Sequence, residues 1–561
     1  MPIPFLSFVY LLFSLQTFVA NDQIPQSRFT KELVRDFGAI PNDGQNDAAA
    51  FRRAMDYCRS HPGTTLLIPA GDYHFSDTLA LSFEYKAING QYGEDVQGYF
   101  FRPHAPYVTA LNMEGFRDIT ISAEGASLIQ EGWYEAIGIK NAQNVKITGL
   151  TLMHKRAPFT SAQIIAKNEG YMDARIDTVQ YPYITNEVTG RVHFYNPASQ
   201  RVYMAGGIQR KELLADGQTI RFHTSRPQEV GDWVILRHSA HNRAGILIKE
   251  SKNITLENVT LHSQPGMGIV GHRSENITLD HLQVIPLPGT FTSTNTDATH
   301  FTSCKGYIRF LNCVFGGQGD DCTNVHNYYW SAYPEQDSKQ VRIAVEGADL
   351  HALSLDYPDK GDTLLLIDRT NLNPIATFLT KAVYTSEKDW KVVVTVDQDL
   401  PKNLDQYYLI NKTRKPSVQI YNNTVRSHLA RAFLIKTSNV HIKGNVIQQS
   451  SGSAIQLGAE AAWREGSPVE NILIENNWFV DCGYGHGAQQ GTVISAEVNG
   501  IRAATSTINR NIVIRNNVMQ ALGKTAIYIA DTEGVQIYRN RIVGADKAVE
   551  VKNATQVFIE E

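Results

Sequence analysis

Short runs of alternating apolar and polar residues recur along this chain in pairs. NVKITGLTLM from Asn144, NITLENVTLH from Asn253, NITLDHLQVI from Asn276, SVQIYNNTVR from Ser417, NVHIKGNVIQ from Asn439, NILIENNWFV from Asn471, NIVIRNNVMQ from Asn511 and GVQIYRNRIV from Gly534 each hold two such runs. Ile254 to Ile277 spans 23 residues, and Val418 to Val440 and Val535 to Val557 span 22. A companion run precedes the later markers: GILIK at 245–249, GIVGH at 268–272, FLIK at 433–436, AIQLG at 454–458, VISAE at 493–497 and AIYIA at 526–530. Alternation turns one face of each strand inward, and a unit this short buries that face only against its neighbours. The pattern therefore predicts an all-β parallel β-helix with one coil per unit. Asn258, Asn422, Asn445, Asn476 and Asn516 recur at the turns, where they are expected to stack as side-chain ladders at a coil corner.

Two intervals break the period. Val145 to Ile254 is 109 residues and Ile308 to Val418 is 110, each one coil plus a long excursion. The excursions, 160–240 and 328–415, alternate strongly (RVHFYN, TIRFHT, DWVILRH; VRIAV, TLLLID, WKVVVTV) and predict two inserted antiparallel β domains, sandwich or barrel. The chain then divides into 21–155 (N-terminal cap and first coils), 241–327 (central coils) and 416–561 (C-terminal coils) around them. Residues 35–75 read as strand, turn, helix and strand, with Asn46 or Asp47 capping the helix.

Residues 1–20, MPIPFLSFVYLLFSLQTFVA, are apolar without Lys or Arg and are expected to be a secretory signal cleaved near Ala20, leaving no membrane span in the mature chain. Localisation is then secreted, periplasmic or cell-envelope. A net charge of −4 shows no basic excess, which argues against a nucleic-acid partner. Five cysteines without a CxxC pair suggest neither a disulfide scaffold nor zinc, and Cys304 and Cys322 leave room for one bridge between neighbouring strands. An exposed β-helix face offers a surface through which the chain could pair as a homo-oligomer.

The chemistry concentrates between Asn295 and Asn327, in NTDATHFTSCKGYIRFLNCVFGGQGDDCTNVHN. Asp297, Asp320 and Asp321 lie within strand-like segments, an unfavourable place for charge without a task. With a 23-residue coil, Asp297 is expected directly beneath Asp320, about 4.8 Å away through the backbone. Two like charges at about 5 Å repel by roughly 3 kcal/mol at an effective dielectric near 20, so one of the three should hold a proton near neutral pH. The Gly316, Gly317, Gln318, Gly319 bend offers a way for Asp320 and Asp321 to reach one cleft. Three carboxylates could hold Ca²⁺, but strands supply few carbonyl ligands, and no metal and no cofactor are assigned. Candidate substrate-binding groups are His300 and His326 on the same strands, Lys436, and Glu460, Trp463 and Glu497 on later coils.

DFGA followed by NDGxxD, an Ala/Phe helix and IPAGxY resembles the N-terminal cap of right-handed parallel β-helices of the pectin-lyase-like superfamily. NTD at 295–297 and GDD at 319–321 are similar to the aspartate trio of polygalacturonase-like glycosidases. That family's Arg-Ile-Lys motif falls on Leu434, Ile435 and Lys436; loss of the arginine argues for a neutral sugar, with Arg431 close by. Over most of its length, through the cap, NTDATHF, GQGDDCTNVH, IQLGAEAAW and the two insertions, the chain resembles glycoside hydrolase family 110. That resemblance implies a bacterial exo-acting α-1,3-galactosidase removing terminal galactose from blood-group-B-type glycans with inversion. It casts Asp320 as general acid, with Asp297 and Asp321 activating water. Inversion usually needs carboxyls about 6.5–9.5 Å apart, whereas close stacking suggests about 5 Å. The alternatives are a polygalacturonase-like hydrolase of uronates, a Ca²⁺-dependent lyase and a non-catalytic carbohydrate-binding β-helix.

Overall fold

The computed structural model describes residues 28–93, 96, 105–182, 187, 191–239, 241–345, 354–485, 491–500 and 507–560. The signal expected at 1–20 lies outside the described residues. Parallel strands stack in columns. Val145, Ile254, Ile277, Ile308, Val418, Val440, Ile472, Ile512 and Val535 are successive partners in one. Ile137, Ile246, Ile269, Thr299, Thr323, Phe433, Ile455, Ile494 and Ile527 are partners in another. The inward members form one hydrophobic core running through the solenoid. This is the β-helix the alternation predicts. Among the described residues no helix is long and apolar enough to cross a membrane.

Both long intervals join adjacent coils, because Val145 pairs with Ile254 and Ile308 with Val418. The first excursion folds as a seven-stranded antiparallel sheet from Phe159 to Arg237. The second closes into a six-stranded barrel from Trp330 to Asn411. Each has its own apolar cluster.

The N-terminal end is sealed by the helix Ala48–Ser60, which buries Ala50, Phe51, Ala54, Met55 and Cys58. Asn46 Oδ1 accepts from Ala48 N, while the Asp47 carboxylate holds Ile40 N and His74 N instead. The strand expected over RDFGA is the short helix Leu33–Phe37, ended by Gly38 at φ 77°. A further helix, Thr78–Ile88, is capped by Asp77, which accepts from Leu79 N.

The asparagine ladder exists, but one residue further along than expected. Asn423, Asn445, Asn477, Asn517 and Asn540 pass side-chain hydrogen bonds from coil to coil at 2.8–3.0 Å. Asn258, Asn422, Asn476 and Asn516 occupy the left-handed backbone region at the corner, which asparagine tolerates better than most residues. The corner therefore uses two kinds of asparagine, and only Asn445 of the expected set is a rung. All five cysteines are buried and free, so Cys304 and Cys322 form no bridge.

Candidate active site

Thr299 pairs with Thr323 and Thr323 with Phe433. From Thr299 to Thr323 the step is 24 residues, one more than the 23 from Ile254 to Ile277, and Ala298 N donating to Asp321 O extends that register. Asp321, not Asp320, is therefore the counterpart of Asp297. The extra residue enters at Gly306, where the register with the preceding coil shifts between Glu275↔Lys305 and Ile277↔Ile308, and the bend 319–321 carries its aspartates outside regular strand. There the nearest carboxylate oxygens of Asp297, Asp320 and Asp321 lie within 4.8 Å of one another. Asp297 and Asp321 are buried and Asp320 is half-buried.

The bend is fastened from the first excursion. Arg237, at the end of strand Trp233–Arg237 and fully buried, donates from Nη1 to Gly319 O at 2.9 Å and to Asn295 O. A Cβ on Gly319 would lie 2.5 Å from Asn295 O, so only glycine permits this approach. Arg237 thus ties together the backbones that lead into Asp297 and Asp320. Its guanidinium is pushed down to about 9 by burial.

Cations enter from later coils. Arg431 N donates to Asp321 Oδ1 at 2.8 Å and its Nε lies 3.1 Å from the same oxygen. Its Nη2 is 3.5 Å from Glu460. Lys436, fully buried, places Nζ 2.7 Å from Glu460 Oε2 and against Glu465 Oε2. Asn324 Nδ2 donates to that same Glu465 oxygen at 3.0 Å. Glu465 arrives on a two-residue strand antiparallel to the end of Thr323–Tyr328. Burial opposes charge on Lys436, yet Glu460 and Glu465 outweigh it and raise its pKa.

His300 and His326 join the carboxylates to this network. His300 Nδ1 is 2.6 Å from Asp297 Oδ2, the two Nε2 atoms are 2.8 Å apart, and His326 Nδ1 is 3.0 Å from Asn327 O. Burial, then the charges of Asp320 and Asp321, hold the Asp297 carboxyl well above the usual carboxylate range. Burial likewise lifts Asp321 to about 7, with Arg431 pulling against it and Asp320 adding to the rise. The expected retained proton has its physical cause here: desolvation first and like charge second.

Of the residues singled out from sequence, the structure brings together Asp297, Asp320, Asp321, His300, His326, Lys436 and Glu460. Glu497 is half-buried, and burial and then Glu460 raise its pKa. Trp463 is 60% exposed on a single 3-10 turn. Leu434 is buried between Asn324 and Gln456 in register, so it presents no charge. The guanidinium thought lost is nevertheless present, because Arg431 supplies one three residues earlier. Glu465 and Arg237 were not legible. Arg431 was: 110 residues separate it from Asp321, the interval already measured from Ile308 to Val418.

Among the described residues two clusters could hold a cation, the aspartate trio and His300, His326 and Glu465. Positive charge is already delivered to both, by Arg431 at Asp321 and by Lys436 at Glu465.

The chain is 26% identical over 550 residues to alpha-1,3-galactosidase A of Bacteroides fragilis, covering 94% of this chain and 89% of that one. It is 27% identical over 476 residues to alpha-1,3-galactosidase B of Bacteroides thetaiotaomicron, covering 80% and 75%. It is a homologue of the α-1,3-galactosidases. Residues 408–561 match the family model described as right handed beta helix region, which fixes the hand of the solenoid. Among solved structures, the exopolygalacturonase of Thermotoga maritima shares 11% identity at a TM-score of 0.40, covering 95% of this chain and 94% of that one.

Proposed function

We propose that this protein is an exo-glycosidase that hydrolyses terminal α-1,3-linked galactose from oligosaccharides and glycoconjugates. The observation that carries the reading is the convergence of three carboxyls, two of them held toward protonation by burial, in a chain related over nearly its whole length to α-1,3-galactosidases. Glycoside hydrolysis needs one carboxyl to protonate the departing oxygen and another to attack or to activate water. Asp320, the least buried of the trio, gives the leaving oxygen its proton, and Asp297 and Asp321 manage the water. Arg431 and Lys436 are engaged by carboxylates of the protein itself, which disfavours a uronate and favours a neutral sugar. The protein acts in the envelope or outside the cell after loss of residues 1–20.

Inversion is the outcome proposed. The oxygen separations of at most 4.8 Å favour a second reading, retention, whose carboxyls stand about 5–5.5 Å apart. Proton NMR of an α-1,3-galactosyl trisaccharide during the first turnovers separates the two. Initial β-galactose supports inversion and initial α-galactose establishes retention. Release of no galactose, with uronate cleavage instead, overturns the proposal.

A further inference from the structure

We propose that His300 and His326 are positioning residues forming a proton relay that holds a proton on Asp297 and withdraws it when Asp297 must act as a base. The inference deepens the glycosidase reading and rests on it only for its kinetic test. Hydrogen bookkeeping carries it. Asn327 O only accepts, so His326 Nδ1 bears a hydrogen. The gap between the two Nε2 atoms needs one hydrogen, and so does the gap between His300 Nδ1 and Asp297 Oδ2. Three gaps need three hydrogens, and two neutral imidazoles bring two. The third is an acidic proton, shared along the chain in every arrangement that keeps all three bonds.

Two arrangements matter. In one, Asp297 is protonated and donates to His300 Nδ1, while His300 Nε2 donates to His326 Nε2. In the other, Asp297 has passed its proton to His300 Nδ1 and His300 Nε2 has passed its own to His326 Nε2. Only O–H and N–H bonds change, no proton is gained or lost, and the positive charge comes to rest on His326. There it lies 3.7 Å from Glu465 Oε1. Asp297 is then a carboxylate able to take a proton from water; once that proton has passed to Asp320, which has given its own to the leaving oxygen, the reverse shift resets the relay.

The surroundings favour keeping the extra proton. Asp297 feels Asp320, Asp321 and Glu465 as like charges, with Arg431 opposing. His326 faces Glu465 and, edge to face at 5.0 Å between centroids, Tyr328. Lys436 is turned to the other Glu465 oxygen and to Glu460. A cation between the two Nε2 atoms would need Glu465, which Lys436 and Asn324 already hold.

Neutron diffraction from the deuterated protein near neutral pH reads the relay directly, whatever the substrate. Deuterium in all three gaps is the expected result; a bare gap, or a metal ion between the imidazoles, overturns the proposal. The kinetic arm uses His326→Gln and His300→Gln, with the pH profile of kcat/KM on an α-1,3-galactoside. The acidic limb should move up by about one pH unit, with KM within about twofold, because Asp297 must now lose its proton to water. A raised KM on an unmoved profile would show the histidines to be sugar contacts, and a fall in folded fraction alone would show them to be structural. If the native protein releases no galactose, the glycosidase reading fails and the neutron map still decides the relay.

Discussion

The asparagine corner and the aspartate column of this solenoid obey opposite rules. At the asparagine corner, Asn477 Nδ2 donates to Ile442 O, Glu475 O and Asn517 Oδ1, while its own Oδ1 accepts from Asn445 N and Nδ2. An amide is donor and acceptor at once, so identical residues stacked coil upon coil satisfy each other. In the other column Asp297 stands beneath Asp321 and Asp321 beneath Arg431. Identical carboxylates offer only acceptors and repel, and the structure compensates with a guanidinium above, imidazoles beside and retained protons. A column built for stability is self-complementary; this one needs outside help at every level, as expected of a site selected for reactivity.

The comparison breaks most sharply at the carboxyls. Asp320→Asn should lower galactose release by roughly 10²–10⁴-fold with little change in folding, measured by initial rates and circular dichroism. Lys436→Met leaves Glu460 and Glu465 buried and unmatched, and should cost about 3–5 kcal/mol in denaturant unfolding. Asn477→Leu interrupts the ladder and strands buried partners, each worth about 1–3 kcal/mol, without altering the pH profile of the remaining activity.

Asp321→Asn tests the sign of the difference. The folded carboxyl titrates at about 7 against an ordinary 3.8, so the native state binds the extra proton over that window and stability falls as pH rises through it. The substitution should flatten that slope and stabilise the protein above the window, the reverse of Asn477→Leu, as read from denaturant midpoints on either side. The smallest effect belongs to Trp463→Ala. An exposed side chain on a short turn should contribute within about 0.5 kcal/mol to stability, and a rise in KM at constant kcat would place it against the sugar.

Much of this was readable in the sequence because solenoid strands repeat. Period-two alternation located the coils, and the two 109–110-residue gaps located the excursions. The aspartates stood out because charge is rare in strand-like sequence, although all three lie just before the strands Thr299–Thr302 and Thr323–Tyr328, not within them. What escaped did so for local reasons. An extra residue at Gly306, early in that coil, shifts the register by one, which a fixed period cannot show, and so Asp321 took the place expected for Asp320. The ladder was misplaced by one because two asparagines adjoin at Asn422 and Asn423, at Asn476 and Asn477, and at Asn516 and Asn517, and composition does not say which is turned inward. Glu465 rides a two-residue strand with no pattern of its own, and Arg237 comes from another sheet entirely.

The two excursions also govern the order in which the chain assembles. The shortest coils close over 22–23 residues, as from Ile254 to Ile277, but Val145 reaches Ile254 and Ile308 reaches Val418 only across 109 and 110. For a flexible chain that difference adds about 1.4 kcal/mol of closure entropy at each junction. An excursion already folded removes most of it, since its first and last strands, Phe159–Asn168 with Trp233–Arg237 and Trp330–Pro334 with Tyr407–Asn411, pair directly and bring the flanking coils together. The aspartates lie between those two junctions and take Arg237 from one excursion and Arg431 from beyond the other, so the reactive centre is complete only when both have closed.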